Sequence, residues 1–166
     1  MRQGILAGVM MLGLAAGPAF AADEAFVMNT AKAGMAEVEL GKLAVEKASS
    51  DEVKKFGQRM VDDHGKAGEE LKAIAERKKI TWPSELDGKD KSMHEKLAKL
   101  SGASFDHAYM QAMMSGHLKA LADFRAESRS GNDADIKAWA AKTLPTIEEH
   151  VKMARDAGNA VGSTGQ

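Results

Sequence analysis

Three of the five histidines, His64, His117 and His150, fall on the apolar stripes of three different helical patterns, and Glu37 falls on the stripe of a fourth. Such groups ordinarily face water, so one on each of four stripes points four polar side chains at a common interior. Imidazole and carboxylate are donors that hold zinc, iron or copper, and helical interiors assemble metal sites in this way. Each imidazole spends one nitrogen on an ion and leaves the other for an outer acceptor, a part that Asp63 beside His64 can play. The expectation is one transition-metal ion (zinc, iron or copper) held by Glu37, His64, His117 and His150.

The competing expectation is a metal-free structural or interaction module, in which each histidine is a core residue bonded to a neighbour such as Asp63, Thr143 or Tyr109. A third variant draws on Met60, Met113 and Met153, which lie four before His64, four before His117 and three after His150. Thioethers suit copper(I), but methionine is also an ordinary filler of helical cores. The chain has no cysteine, so thiolate ligands and disulfides are excluded. Asp106 opens its helical pattern about 16 Å along the axis from His117, too far to share an ion. His94 and His107 have polar surroundings and are expected to be solvated.

The elements that must position these groups read as helices at 23–48, 50–79, 89–100, 103–129 and 133–157, an all-α class. The first stripe carries Phe26, Ala33, Ala36, Glu37, Leu40, Leu43 and Ala44. The second carries Val53, Phe56, Met60, His64, Leu71 and Ile74. Phe105, Tyr109, Met113, His117 and Phe124 mark the third long helix, and Ile136, Ala140, Ile147, His150 and Ala154 the fourth. Ser49 and Glu52 form a capping-box pattern that predicts a tight turn between the first two helices. Residues 80–102 contain Trp82-Pro83 and Asp87-Gly88, and read as a long connection carrying a short helix. Counted from their turns, Glu37 and His64 share a level, whereas His150 lies about five residues, or roughly 7 Å, too far to meet His117 without a tilt or a kink at Pro145. The polar stretch 158–166 is expected to be disordered.

Residues 1–21 read as a secretory signal: Arg2 gives the positive start, Ile5 to Ala16 the apolar run and Ala19-Phe20-Ala21 the cleavage site. Cleavage leaves a domain at 22–157, expected to be exported, most simply to the periplasm, and not to be an integral membrane protein. Without Arg2 the chain has 22 basic against 24 acidic residues. That balance offers nucleic acid no electrostatic footprint and names no protein partner.

The stretches Gly34-Met35-Ala36-Glu37-Val38-Glu39-Leu40-Gly41-Lys42-Leu43-Ala44, Met60-Val61-Asp62-Asp63-His64, Phe105-Asp106-His107-Ala108-Tyr109-Met110, Gly116-His117 and Leu144-Pro145-Thr146-Ile147-Glu148-Glu149-His150 resemble the exported bacterial family called domain of unknown function 4142. The resemblance covers about 26–154. It implies a ferritin-like four-helix bundle, with the long connection and its short helix between helices 2 and 3, and implies no settled activity. Di-iron ferritin-like oxidases need Glu-x-x-His on two helices, and Val61 and Ile147 stand where those glutamates would be. No Ser-His-Asp order, paired catalytic carboxylates or phosphate-binding glycine loop is visible, so no catalytic residue is assigned. Metal handling or envelope stress is the expected role.

Overall fold

Abundant Ala, Lys, Glu, Leu and Met with only three prolines favour helix. The computed structural model describes residues 18–163, with side chains from 21 to 162, and is all-helical over that span. Its elements are α1 (Pro18–Lys47), α2 (Asp51–Lys78), α3 (Gly88–Ala98), α4 (Gly102–Ser130) and α5 (Ala134–Ser163), with no strand among the described residues. Most of the expected signal, residues 1–17, lies outside the described residues, and 18–21 already belong to α1.

Two tight turns, at 48–50 and 131–133, fold α1 back on α2 and α4 back on α5, and these are the most extensive helix pairings. α2 also packs on α5 and α1 on α4, while α3 lies against α1 and α4. Each turn is tied to the opposite hairpin by a buried aspartate. Asp106 in α4 accepts hydrogen bonds from the Ser49 and Ser50 amides at 3.0 and 2.9 Å and from the Ser49 hydroxyl. Asp23 in α1 accepts from the Asn132 and Asp133 amides at 3.1 and 2.6 Å. α1 therefore runs antiparallel to α4. Lys78 in the last turn of α2 pairs with Asp133 and Asp135, which sets α2 antiparallel to α5. The chain from 79 to 101 carries the backbone from one end of the molecule to the other before α4 begins.

Two local expectations are revised. The N-cap of α2 is Ser50, not Ser49: the Ser50 hydroxyl accepts from the Val53 amide and donates to Glu52. The Ser49 hydroxyl instead donates to the Asp106 carboxylate, which also accepts from the Ser49 and Ser50 amides. Composition predicts a polar tail from 158, yet α5 continues to Ser163, because Ala154 and Ala157 are buried and Val161 packs on the same cluster. Residues 164–166 lie outside the described residues.

The core comes in two parts. One cluster gathers Leu40, Phe56, Met60, Phe105, Tyr109 and Met113 toward the 48–50 turn, and the other gathers Val27, Leu71, Phe124, Ile136, Trp139 and Ile147 toward the 131–133 turn. Each fully buried large side chain contributes about 1.5–3 kcal/mol. On every long helix the break between the clusters falls at a polar residue: Glu37, His64, His117 or His150.

Candidate metal centre

The packing of α1 on α2 begins with a close approach at Gly41 and Gly57. A Cβ on Gly41 would stand 2.6 Å from the Gly57 carbonyl oxygen, and one on Gly57 would stand 2.8 Å from the Ala44 Cβ, so neither position has room for a side chain. One turn before Gly41 lies Glu37, and two turns after Gly57 lies His64. The short separation lets the Glu37 carboxylate reach the His64 ring, with Oε2 3.2 Å from Nδ1. Glu37 Oε1 lies 3.7 Å from Nδ1 of His117, which comes in from α4.

All four residues expected from sequence meet. The ring centroids of His64, His117 and His150 form a near-equilateral triangle with edges of 5.6, 5.1 and 5.3 Å. One nitrogen from each ring lies within 4.8 Å of the other two. Nε2 of His64 is 3.4 Å from Nε2 of His117, and a tetrahedron with metal–nitrogen bonds of 2.0–2.1 Å has an edge of about 3.3–3.4 Å. The expected height mismatch of His150 is only partly absorbed by the turn. α4 extends to Ser130 and the turn is only three residues, so measured from its middle His150 is about three residues farther out than His117, roughly 4.5 Å.

The outer nitrogens of the rings are engaged. His117 Nδ1 lies 2.9 Å from the Met113 carbonyl oxygen, an acceptor, so this nitrogen carries the proton and Nε2 the lone pair. His150 Nε2 lies 2.8 Å from Asp63 Oδ2, which likewise leaves the lone pair on Nδ1. That Nδ1 is buried and without a hydrogen-bond partner. An orphaned buried polar atom costs about 1–3 kcal/mol. His64 Nδ1 faces Glu37. Glu37 thus sits on the outer, Nδ1 side of two rings whose Nε2 atoms face each other.

Burial keeps the rings neutral. It lowers His64 to about 4 against the opposing pull of Asp63, and lowers His150 to about 4 against the hydrogen bond it donates to Asp63. His117 is lowered by burial too, against Glu37. Glu37 is raised by burial, with His117 opposing and Asp90 adding. For Asp63, burial works upward, but the hydrogen bonds from His150 and Arg59 prevail and hold the carboxyl below its ordinary value. His117 and His150 are fully buried, whereas the His64 and Glu37 side chains keep 10% and 12% exposure, so solvent reaches the cluster along their edge.

The remaining candidates take structural places. Met60 and Met113 are buried in the apolar cluster, and Met153 packs against it. Tyr109 is buried with its hydroxyl unpartnered, so it bonds none of the histidines. Of the acceptors expected in a metal-free interior, Asp63 is the one that bonds a histidine here. Arg59 was not singled out by sequence, although its i, i+4 spacing to Asp63 is a readable signal.

A family model described as Domain of unknown function (DUF4142) matches residues 10–157. The chain belongs to that family. Neither a curated protein nor a solved structure matches this DUF4142 chain. No helix among its described residues is long and apolar enough to cross a membrane.

Proposed function

We propose that this protein is an exported, ferritin-like four-helix-bundle protein that binds one transition-metal ion through Nε2 of His64, Nε2 of His117 and Nδ1 of His150, and that it serves metal handling or the response to envelope stress. The observation that carries this reading is the convergence of ring nitrogens, above all the buried, unpartnered Nδ1 of His150. Three neutral imidazoles without a thiolate suit zinc best, and copper(II) next. Iron is disfavoured, because Glu37 lies on the outer side of the rings and the site lacks the carboxylate of a two-histidine, one-carboxylate centre. Glu37 is then an outer acceptor that fixes His64, with the same part played by the Met113 carbonyl for His117. The bundle assignment is supported by the two hairpins, by the end-to-end connection and by the family. Export rests on the expected signal.

One observation favours a metal-free interior. Burial raises Glu37, and as a neutral acid it can donate to His64 Nδ1, which turns His64 Nε2–H toward His117 Nε2. That chain satisfies two rings and still leaves His150 Nδ1 alone. Metal analysis decides between the readings. The chain from Ala22, purified without an affinity tag, is expected to carry zinc or copper at one ion per chain, and His64→Ala and His117→Ala to carry none. Near-zero metal in the unaltered chain, before and after incubation with zinc, overturns the proposal.

A further inference from the structure

An imidazole can present either nitrogen to an interior, and what decides is the partner waiting on its far side. For His150 that partner is Asp63 from another helix, 2.8 Å from Nε2. A carboxylate only accepts, so Nε2 carries the proton and the lone pair falls on Nδ1, which is buried and has no hydrogen-bond partner. Asp63 does not stand alone. Arg59, one turn earlier on α2, donates through Nε to the same oxygen, Oδ2, and through Nη2 to Glu149 Oε2 at 3.3 Å. Glu149 directly precedes His150, so the guanidinium clamps the carboxylate and the backbone neighbourhood of the ring at once.

Neighbouring residues on a helix point about 100° apart. Asp63 can therefore turn to the flank facing α5 while His64 looks into the interior. The adjacent pair serves two different rings.

We infer that Asp63, clamped by Arg59, is the positioning residue that selects Nδ1 of His150 as the inward donor, so that the centre is built from two Nε2 atoms and one Nδ1. The purpose of this arrangement rests on the metal-binding reading; its geometry does not. Arg59 and Glu149 are 42% and 53% exposed, and such a pair contributes little to stability by itself. Its effect passes through the orientation of Asp63.

The test is long-range proton–nitrogen NMR of the histidine rings in the metal-free chain from Ala22, with zinc affinity measured in parallel by chelator competition. The unaltered protein is expected to show His150 as the Nε2–H tautomer. Asp63→Leu, which removes the acceptor, is expected to mix the tautomers and to weaken zinc binding by about 10–100-fold, the usual cost of losing an outer-shell partner. Arg59→Gln lies at the surface and keeps the fold, so it guards against a variant that simply fails to fold; a smaller loss in the same direction is expected. Finding His150 as Nδ1–H, or an unchanged tautomer in both variants, overturns the inference. If the tautomer behaves as expected but the protein takes up no zinc, the positioning role stands and the metal-binding reading falls.

Discussion

His64 and His117, 53 positions apart in the chain, meet through Nε2 atoms separated by 3.4 Å. With Nδ1 of His117 committed to the Met113 carbonyl and Nδ1 of His64 facing Glu37, the two inner lone pairs repel unless a proton or a cation lies between them. The third ring brings a further lone pair that has no partner at all. A proton can satisfy one pair of nitrogens; a metal ion can satisfy three.

Zinc is therefore expected to stabilise the fold by mass action. At a free zinc concentration 100 times the Kd, unfolding should cost about 2.7 kcal/mol more than in the presence of a chelator. Urea titrations with zinc and with EDTA measure this. His117→Ala opens a cavity and lowers stability in its own right, so the quantity to compare is the zinc-induced difference, which should vanish in that variant. An equal shift in both proteins would assign the zinc effect to another part of the surface.

Acid should unfold the metal-free protein early. His64 and His150 are held at about 4 by burial, below the ordinary 6.5 of the unfolded chain. The unfolded state then binds more protons between those values, so stability is fully present above pH 6.5 and drains away as pH falls toward 4. Chemical-denaturation midpoints at pH 7.5, 5.5 and 4.5 should fall in that order, and His150→Gln should flatten the decline. A profile that is level down to pH 4.5 contradicts the neutral, buried state of the rings.

The four stripes were legible because one face of each helix is apolar over several turns, and Glu37, His64, His117 and His150 interrupt that face where the two apolar clusters part. Which nitrogen each ring turns inward was not legible, since it depends on acceptors from other helices, such as Asp63 for His150. The same limit explains Ser49. Local pattern assigns it the cap of α2, but a carboxylate 57 positions away competes for its hydroxyl. Asp106 itself reads as a favourable charge in a first helical turn, and only the folded chain reveals that it ties α4 to the opposite turn. The end of α5 is illegible for a related reason: Gly158 to Gln166 is weakly helical by composition, and it is the packing of Ala157 and Val161 on distant residues that carries the helix to Ser163.

The two buried aspartates give a separation of stability from binding. Asp106→Ala leaves the Ser49 and Ser50 amides without their acceptor and should cost about 2–3 kcal/mol, because hydrogen bonds to an ionised group are the strong ones. Asp23→Ala should act alike at the 131–133 turn. Asp106 lies about 16 Å along the helix from His117, so zinc affinity under native conditions should stay within a few-fold of the unaltered protein. Thermal unfolding and chelator competition on the same samples read the two effects, and a large loss of affinity in Asp106→Ala would place that residue in the metal-binding machinery after all.

Gly57→Ala is expected to couple packing to binding in the opposite sense. Alanine is favoured over glycine within a helix by about 1 kcal/mol. Here, however, the new Cβ would stand 2.8 Å from the Ala44 Cβ and 2.9 Å from the Gly41 carbonyl, and backbone has no flexible end to yield. Overpacking of this kind costs about 1–3 kcal/mol, so the net change should be destabilising. Relief comes by moving α1 away from α2, which lengthens the 3.2 Å approach of Glu37 to His64 and loosens the ring it orients. Zinc affinity should consequently fall together with stability, although Gly57 lies about 10 Å along α2 from His64 and touches no ligand. Gly65→Ala, next to the site but with open space around its would-be Cβ, should leave both unchanged or slightly improved. If Gly57→Ala lowers stability while zinc affinity holds, the orientation of His64 does not depend on the close approach of α1 and α2.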